Sequence, residues 1–561
     1  MLLTAPILSR SIVLRGSNGW ATRCYRVMSL TKFTCALLAL SLGTFSVRAE
    51  QTALQTSSAD ISHTQPAPPG LHSELAHRLS LNTAASRPQH AEFEALKTLY
   101  AKRHYESVWV TGTGYTAAAD LIRAEIGRAD EWGLEATAFR LKPLGESLNL
   151  DDAGRADAEI ELSLAILQYA RFARGGRTEP LALSRNLDRR PPLLDPGKVI
   201  AEVVVSKSPD AYLRSLHPQH PQFERLRRLF VTLKAEPSSN ASAKDRAGKK
   251  RTNSHVGPTR EKLLANMEQW RWMPEDLGRF YVWVNIPEYS VRVIKDGHEI
   301  HSERVIVGGS TTRTPIFSDE MEQIIFHPRW NVPNSIKVNE LLPSLAIGDY
   351  TVLSRQNLRV ALGGRDIDPK SVNWNRADIK KYYFYQPPGD RNALGVVKFL
   401  FPNKHDVYLH DTPSKGLFNS QVRAFSHGCI RVRHPLKLAE LLLSEDQGWD
   451  KERVARTVQQ GPQDTQINLA KILVHLTYFT AWVDDDGRAR TFPDVYDHEH
   501  RIALGLAGKT HLIRREPEPA PTVVARQSPS SLWSQRRPPE SHGRPGNGAD
   551  RKPDWIKQLF Q

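Results

Sequence analysis

The sequence predicts an α+β protein: a mainly helical N-terminal domain followed by a β-sandwich-like domain. Three observations predict it. Apolar residues recur at helical spacing between 91 and 235, as in Leu162, Ile166, Tyr169 and Ala173, whose offsets stripe one helix face. From 279 the period drops to two, with Phe280, Val282, Val284 and Ile286 alternating with Tyr281, Trp283 and Asn285. Short apolar runs then follow closely, separated by turn signals such as Asp296-Gly297 and Gly308-Gly309, the pattern of sandwiches and barrels.

In chain order, residues 33–47 form an apolar run preceded by Arg26 and Lys32 and followed by Arg48-Ala49, the charged, apolar, small-residue order of a secretory signal. It is shorter than the roughly 20 residues of a comfortable membrane span. Residues 1–49 are read as this signal, with Met28 as an alternative start that would give it ordinary length. Residues 50–90, rich in Ser, Thr, Ala, Gln and Pro, read as a linker. The helical domain occupies 91–235, where Gly175-Gly176 stops one helix and Phe223, Leu226, Phe230 and Leu233 stripe another. Residues 236–260 are a polar, basic break, and Leu263, Met267 and Trp270 form an apolar face that packs on the domain that follows.

That second domain covers 261–510. Strands are expected at 280–286, 291–294, 305–307, 324–326, 350–353, 396–400 and 407–409, and a helix is expected to start at Pro435 ahead of Leu438, Leu441 and Leu442. Residues 515–561 are dominated by Pro, Ser, Arg and Gly and read as a disordered tail, with Trp555, Ile556, Leu559 and Phe560 as a weak docking helix at its end.

Apolar residues make up 40% of the 561 and charged residues 24%, which is a globular composition. The formal charge of +15 favours anionic surfaces. No zinc-finger spacing or phosphate-cradling glycine loop accompanies it, so nucleic acid is not expected as a partner. The chain has 3 cysteines, Cys24, Cys35 and Cys429, and the first two lie within the signal region. An exported, processed chain would therefore keep one thiol without an intramolecular partner: a reactive group, or an inert buried one.

A thiol that transfers an acyl group needs a base, donors for the oxyanion and a neighbour that fixes the base. Cys429 sits in Ser426-His427-Gly428-Cys429-Ile430-Arg431-Val432, and His410 ends a strand upstream. The loop between them is long enough to bring imidazole and sulfur together. Gly428 permits close backbone approach, and the amides of His427, Gly428 and Cys429 are candidates for an oxyanion hole. A zinc site built from His410, His427 and Cys429, with His405 or His434, is the competing reading. The absence of Cys-x-x-Cys and His-Glu-x-x-His counts against it, and no metal or other cofactor is expected.

The stretch YLHDTPSKGLFNSQVRAFSHGCIRV at 408–432 resembles the active-site signature of L,D-transpeptidases with a YkuD-type catalytic domain. The resemblance extends upstream through VNIPEYSVRVIKDGHEI, RVIVGGSTTRTPIFSDEM and HPRWNVPNSI, and covers about 265–480. The region 91–235, with YAKRHYESVWV and ADEWGLEA, is similar to the scaffold domain of the larger, YcbB-like branch. The resemblance implies that Cys429 attacks the carbonyl between the third and fourth residues of a peptidoglycan tetrapeptide stem and releases D-alanine. It implies His410 as the base, oriented by the backbone carbonyl of Asp411, His427 as a wall of the pocket, and Arg431 as the partner of a substrate carboxylate. A side-chain amine of a second stem would then resolve the thioester into a 3→3 cross-link in the periplasm, and carbapenems would acylate the same sulfur. Related enzymes attach outer-membrane proteins to the wall or hydrolyse stems, so these acceptors stay open, and other wall-synthesis proteins are possible partners. A non-catalytic wall-binding scaffold is the reading from a different class. The segment at about 345–390, with Trp374, Tyr382, Tyr383 and Tyr385, falls where such enzymes carry a lid, and Gly389, Asn392 and Gly395 read as structural. The peptidoglycan-binding module that many relatives insert between their two domains is replaced here by the basic break at 236–260. A partly exposed Cys429 beside His410 is expected to have a lowered pKa.

Overall fold

The computed structural model describes residues 69–81, 86–141, 151–235, 257–461, 464–514 and 516, all within one compact unit. The expected signal, most of the basic break and nearly all of the tail lie outside the described residues.

The helical domain forms because its helices are capped and striped. Ser86, Thr116, Asp151 and Asp195 each accept a first-turn amide, satisfying donors that a helix start leaves bare. The long helix Asp152–Gly175 runs through the middle, ends at Gly176 with φ +84°, and buries Leu162, Ile166, Tyr169 and Ala173 against Phe93, Leu96, Trp109 and Ile122. One boundary differs from expectation. Pro69–Ser80, inside the region read as linker, is a helix that packs on Asp152–Gly175. Its Leu71, Leu75 and Leu79 repeat every four residues and are buried, a short stripe obscured by Ser and His between them.

The helices Pro221–Ala235 and Arg260–Arg271 bridge to the second domain. Phe223, Leu226, Phe230, Leu263, Met267 and Trp270 share one core with Tyr281 and Trp283 of the sheet and with Phe479 just beyond its last strand. The Trp270 and Phe479 rings stack at 4.7 Å, so the expected apolar face packs as anticipated.

The sheet of the second domain has nine strands: β1 Phe280–Asn285, β2 Ser290–Lys295, β3 His298–Gly308, β4 Ser318–Phe326, β5 Val397–Leu400, β6 Leu409–His410, β7 Ala424–Ser426, β8 Ile430–Val432 and β9 Thr465–Thr477. Their order is β7-β3-β8-β6-β5-β4-β9-β1-β2. β2 also pairs with β3, so the ladder closes on itself and encloses Val282, Val284, Ile324, Phe399, Leu409 and Ile430. The helix Pro435–Gln447 starts at Pro435 and covers this core with Leu438 and Leu442.

Between β4 and β5 a lid forms its own small core. Its sheet runs Trp330–Asn331, Tyr383–Gln386, Arg359–Leu362 and Arg365–Asp366. The lid core extends from Trp330 to Leu394, wider than 345–390, because Trp330, Val332 and Ile336 pack on Val360, Trp374 and Phe384. Trp374 and Tyr382 belong to that core, whereas Tyr383 is exposed. The expected strand at 350–353 is instead the helical turn Thr351–Arg355. A run of Tyr, Thr and Val has strand propensity, but here Val352 and Leu353 are adjacent contacts of the lid core and propensity yields to packing. Asn392 donates to the carbonyls of Pro328 and Pro387 and accepts from the Leu394 amide, a structural role.

Candidate active site

The site lies on three neighbouring strands. β6 pairs antiparallel with β5 and parallel with β8, so Lys398, His410 and Arg431 stand in one row across the sheet. Their neighbours Phe399, Leu409 and Ile430 alternate to the other face and fill the core. That alternation turns three cations or potential cations to one side of an otherwise apolar ladder. Tyr408, two residues before His410, presents its ring there too: Lys398 Nζ lies 3.9 Å from the Tyr408 ring centroid, and the Tyr408 and His410 rings meet edge-on at 5.7 Å.

Cys429 immediately precedes β8. The Ile430 amide donates to the Tyr408 carbonyl at 3.0 Å, fixing Cys429 beside Tyr408, two residues along from His410. The thiol donates to the Asp406 carbonyl at 3.7 Å, and the neighbouring Tyr408 amide and hydroxyl draw the sulfur's pKa down. The turn that delivers the cysteine needs a glycine: Gly428 has φ +116°, where a side chain is strained. It is also stapled. Ser426 Oγ accepts from the Gly428 amide at 3.2 Å and donates to the Cys429 carbonyl, while Thr314 Oγ1 donates to the Gly428 carbonyl at 2.7 Å. The Gly428 amide is therefore engaged inside the turn, which removes it from the expected oxyanion donors and leaves those of His427 and Cys429.

His410 is buried, and its Nδ1–H donates to the Asp411 carbonyl, leaving Nε2 as an acceptor. Asp411 is pinned in turn, its carboxylate accepting from Lys415 and from the Val396 amide at 3.0 Å. Gly395, with φ +56°, is required there, because a Cβ would lie 2.2 Å from Asp411 Oδ2. His427 points to the lid, its Nε2 lying 2.9 Å from Glu340 Oε1. The other histidines of the zinc reading are placed elsewhere: His405 bonds Asp188 at 2.8 Å and His434 bonds Glu303. No group of three or more His, Cys, Asp or Glu placed to hold a metal occurs among the described residues.

Residues 94–229 match the family described as Scaffold domain, and residues 279–457 match the L,D-transpeptidase catalytic domain. The chain thus carries an L,D-transpeptidase catalytic domain preceded by a scaffold domain. A Haemophilus influenzae protein named "Putative L,D-transpeptidase" is 28% identical over 422 residues, which are 73% of this chain and 79% of that one. Two solved structures are similar in part. One is an L,D-transpeptidase from Mycobacterium smegmatis, 12% identical, at a TM-score of 0.17 over 36% of this chain and 58% of that one. The other is the Ldtfm-avibactam carbamoyl enzyme, 12% identical, at 0.18 over 46% and 81%. The closed ladder described above, rather than these two likenesses, carries the fold.

The electrostatics of this L,D-transpeptidase domain differ from a thiolate–imidazolium pair. Burial, then the Arg431 guanidinium, push the His410 imidazole down to about 3, opposed by the Asp411 carbonyl. Burial also pushes the Cys429 thiol up, although part of its surface remains reachable, and this corrects the expected lowering. The bonds from Tyr408 and the charges of Lys398 and Arg431 act the other way on the sulfur. The resting pair is thus neutral thiol and neutral imidazole. Lys398, Tyr408 and Glu340 were not singled out in the sequence. Lys398 had a signal, since it is the one charged residue in the apolar run Val396–Phe401. Tyr408 and Glu340 had none, because nothing local tells which strand or lid turn meets the sulfur.

Proposed function

We propose that the chain is an exported L,D-transpeptidase that forms 3→3 peptidoglycan cross-links through a thioester on Cys429. One observation supports this most: a half-reachable thiol is held beside Tyr408, two residues along the chain from a buried imidazole whose Nδ1–H is tied to a backbone carbonyl, so Nε2 is the atom left to move protons.

In the first half-reaction the Cys429 side chain turns from the Asp406 carbonyl and its sulfur attacks the carbonyl carbon of the third stem residue. The thiol proton passes to His410 Nε2 as the C–S bond forms. The amides of His427 and Cys429 face the oxyanion. When the C–N bond breaks, His410 returns that proton to the leaving D-alanine nitrogen. In the second half-reaction an amine attacks the thioester, its proton goes to His410, the new C–N bond forms and the C–S bond breaks. The sulfur then takes the proton back. Arg431, in the row beside His410, pairs with a stem carboxylate. Because both groups start neutral, proton transfer and attack proceed together, which avoids separating charge in a buried site.

The secretory order of residues 1–49 supports a periplasmic location, where peptidoglycan stems are the partners. The test is incubation with purified tetrapeptide muropeptides followed by mass spectrometry, for the wild type and Cys429→Ala. Dimers of the 3→3 type that vanish in the variant are expected. Free tripeptide alone would assign hydrolysis, and transfer to an outer-membrane protein but not to a stem would assign wall anchoring. No product and no carbapenem adduct on Cys429 would overturn the reading in favour of a wall-binding scaffold.

A further inference from the structure

Glu340 has no place in the chemistry above, yet it touches the segment that carries the nucleophile. It lies in the lid, on the π-helical turn Lys337–Leu341, and its Oε1 meets His427 Nε2 at 2.9 Å. His427 is two residues from Cys429, so their Cα atoms are at most about 7.6 Å apart. The other oxygen, Oε2, is buried and has no hydrogen-bond partner among the described residues. A carboxylate oxygen withdrawn from water with nothing bonded to it is costly, and such a group persists where a ligand completes it.

The charge around the sulfur indicates which ligand. Lys398 and Arg431 both act on the Cys429 sulfur. They suit the carboxylates of a donor stem and repel an incoming ammonium. Of the acids near by, Asp406 and Asp464 already face Lys398. Glu340 is free to offset that repulsion. A primary ammonium carries three N–H donors and a positive charge, which matches a single unpartnered carboxylate oxygen once a shift of the lid turn uncovers it.

We propose that Glu340 is the acceptor-selecting residue of the lid: its free carboxylate oxygen receives the ammonium group of the acyl acceptor and so favours an amine over water as the group that takes the acyl chain from Cys429. This rests on the acyl-enzyme reading above and goes beyond it, since that reading leaves the choice between amine and water to chance encounter. Glu340 binds the ammonium on entry. The proton lost on attack goes to His410 as before, so no further reactant is needed.

The test is the ratio of 3→3 dimer to free tripeptide formed from a diaminopimelate-containing tetrapeptide muropeptide by the full chain, in wild type, Glu340→Gln and Glu340→Asp. Glu340→Gln keeps the shape and an oxygen for His427 but loses the charge. The ratio should fall about tenfold, with a raised KM for the amine, while Glu340→Asp retains more of it. Hydroxylamine, an acceptor that is uncharged at neutral pH, should be used equally by wild type and Glu340→Gln, which a merely structural role of the lid would not produce. Added salt should lower the wild-type ratio for the muropeptide, a reading that stands even if a variant fails to fold. An unchanged ratio in Glu340→Gln, or a wild-type ratio indifferent to salt, overturns the inference while leaving the acyl-enzyme intact. Failure to find any wild-type adduct on Cys429 overturns both.

Discussion

Two glutamates, one in each domain, are treated in opposite ways. Glu159 in the helical domain is fully enclosed, and its two oxygens accept from the Tyr100 hydroxyl at 2.6 Å and from the amides of Val108, Trp109 and Val110. Three consecutive amides of a loop are thereby held to one helix. Glu340 in the lid has one partner and one buried oxygen without a partner among the described residues. A saturated carboxylate fixes a fold, and its loss leaves several donors stranded. A half-saturated one, set against the segment that carries the thiol, has capacity left for a ligand.

The contrast can be broken most sharply at His410. Replacing it with Ala should slow acylation of Cys429 by on the order of 10²–10⁴, followed as adduct formation by mass spectrometry, with little change in unfolding temperature. A merely architectural His410 would reverse that pattern.

Next in size, Glu159→Ala should destabilise the helical domain by about 3 kcal/mol, because the amides of Val108, Trp109 and Val110 lose their acceptor. Glu340→Gln should stay within about 0.5 kcal/mol of the wild type in the same denaturant titration. Equal losses would show that both glutamates are structural.

The pH dependence sharpens the point. Burial raises Glu159 from 4.5 to about 7, opposed by its hydrogen bonds. Between those values the folded chain holds a proton that the unfolded chain has released. Stability should therefore fall as pH rises from about 4.5 to about 7 and level off above, a slope absent from Glu159→Gln. At the catalytic site the signs differ. His410 stays neutral down to about pH 3, so acylation should show no acid limb near the ordinary histidine value of about 6.5. Cys429 is raised, so its alkylation by iodoacetamide should climb with pH through and beyond the usual thiol range. An alkylation plateau already reached at neutral pH would mean a resting thiolate.

Much of this was legible in the sequence because it is local. The change of period at 279, the Asp296-Gly297 hairpin, the stripe Leu162–Ala173 and the spacing from His410 to Cys429 each use residues near one another in the chain. What was not legible depends on distant pairing. The thiol's environment is set by Tyr408, Lys398 and Arg431, whose juxtaposition follows from the register of β5, β6 and β8. Glu340 meets His427 only because the lid folds back across 87 positions. The Gly428 amide reads in the sequence as an oxyanion donor, but the Ser426 hydroxyl takes it. The helix Pro69–Ser80 was hidden by composition, and the turn Thr351–Arg355 by propensity.

The sheet closes through β2 and β3, and β7 alone hangs from the ring, paired only with β3. His410 stands on a strand clamped from both sides, whereas Cys429 is reached through β7 and a glycine turn. The proposed proton acceptor should thus be stationary on the time scale on which the sulfur swings. In hydrogen exchange, the amides of Ala424–Ser426 should open long before those of Leu409 and His410, and freely enough to let the thiol leave the Asp406 carbonyl without loosening the barrel around it.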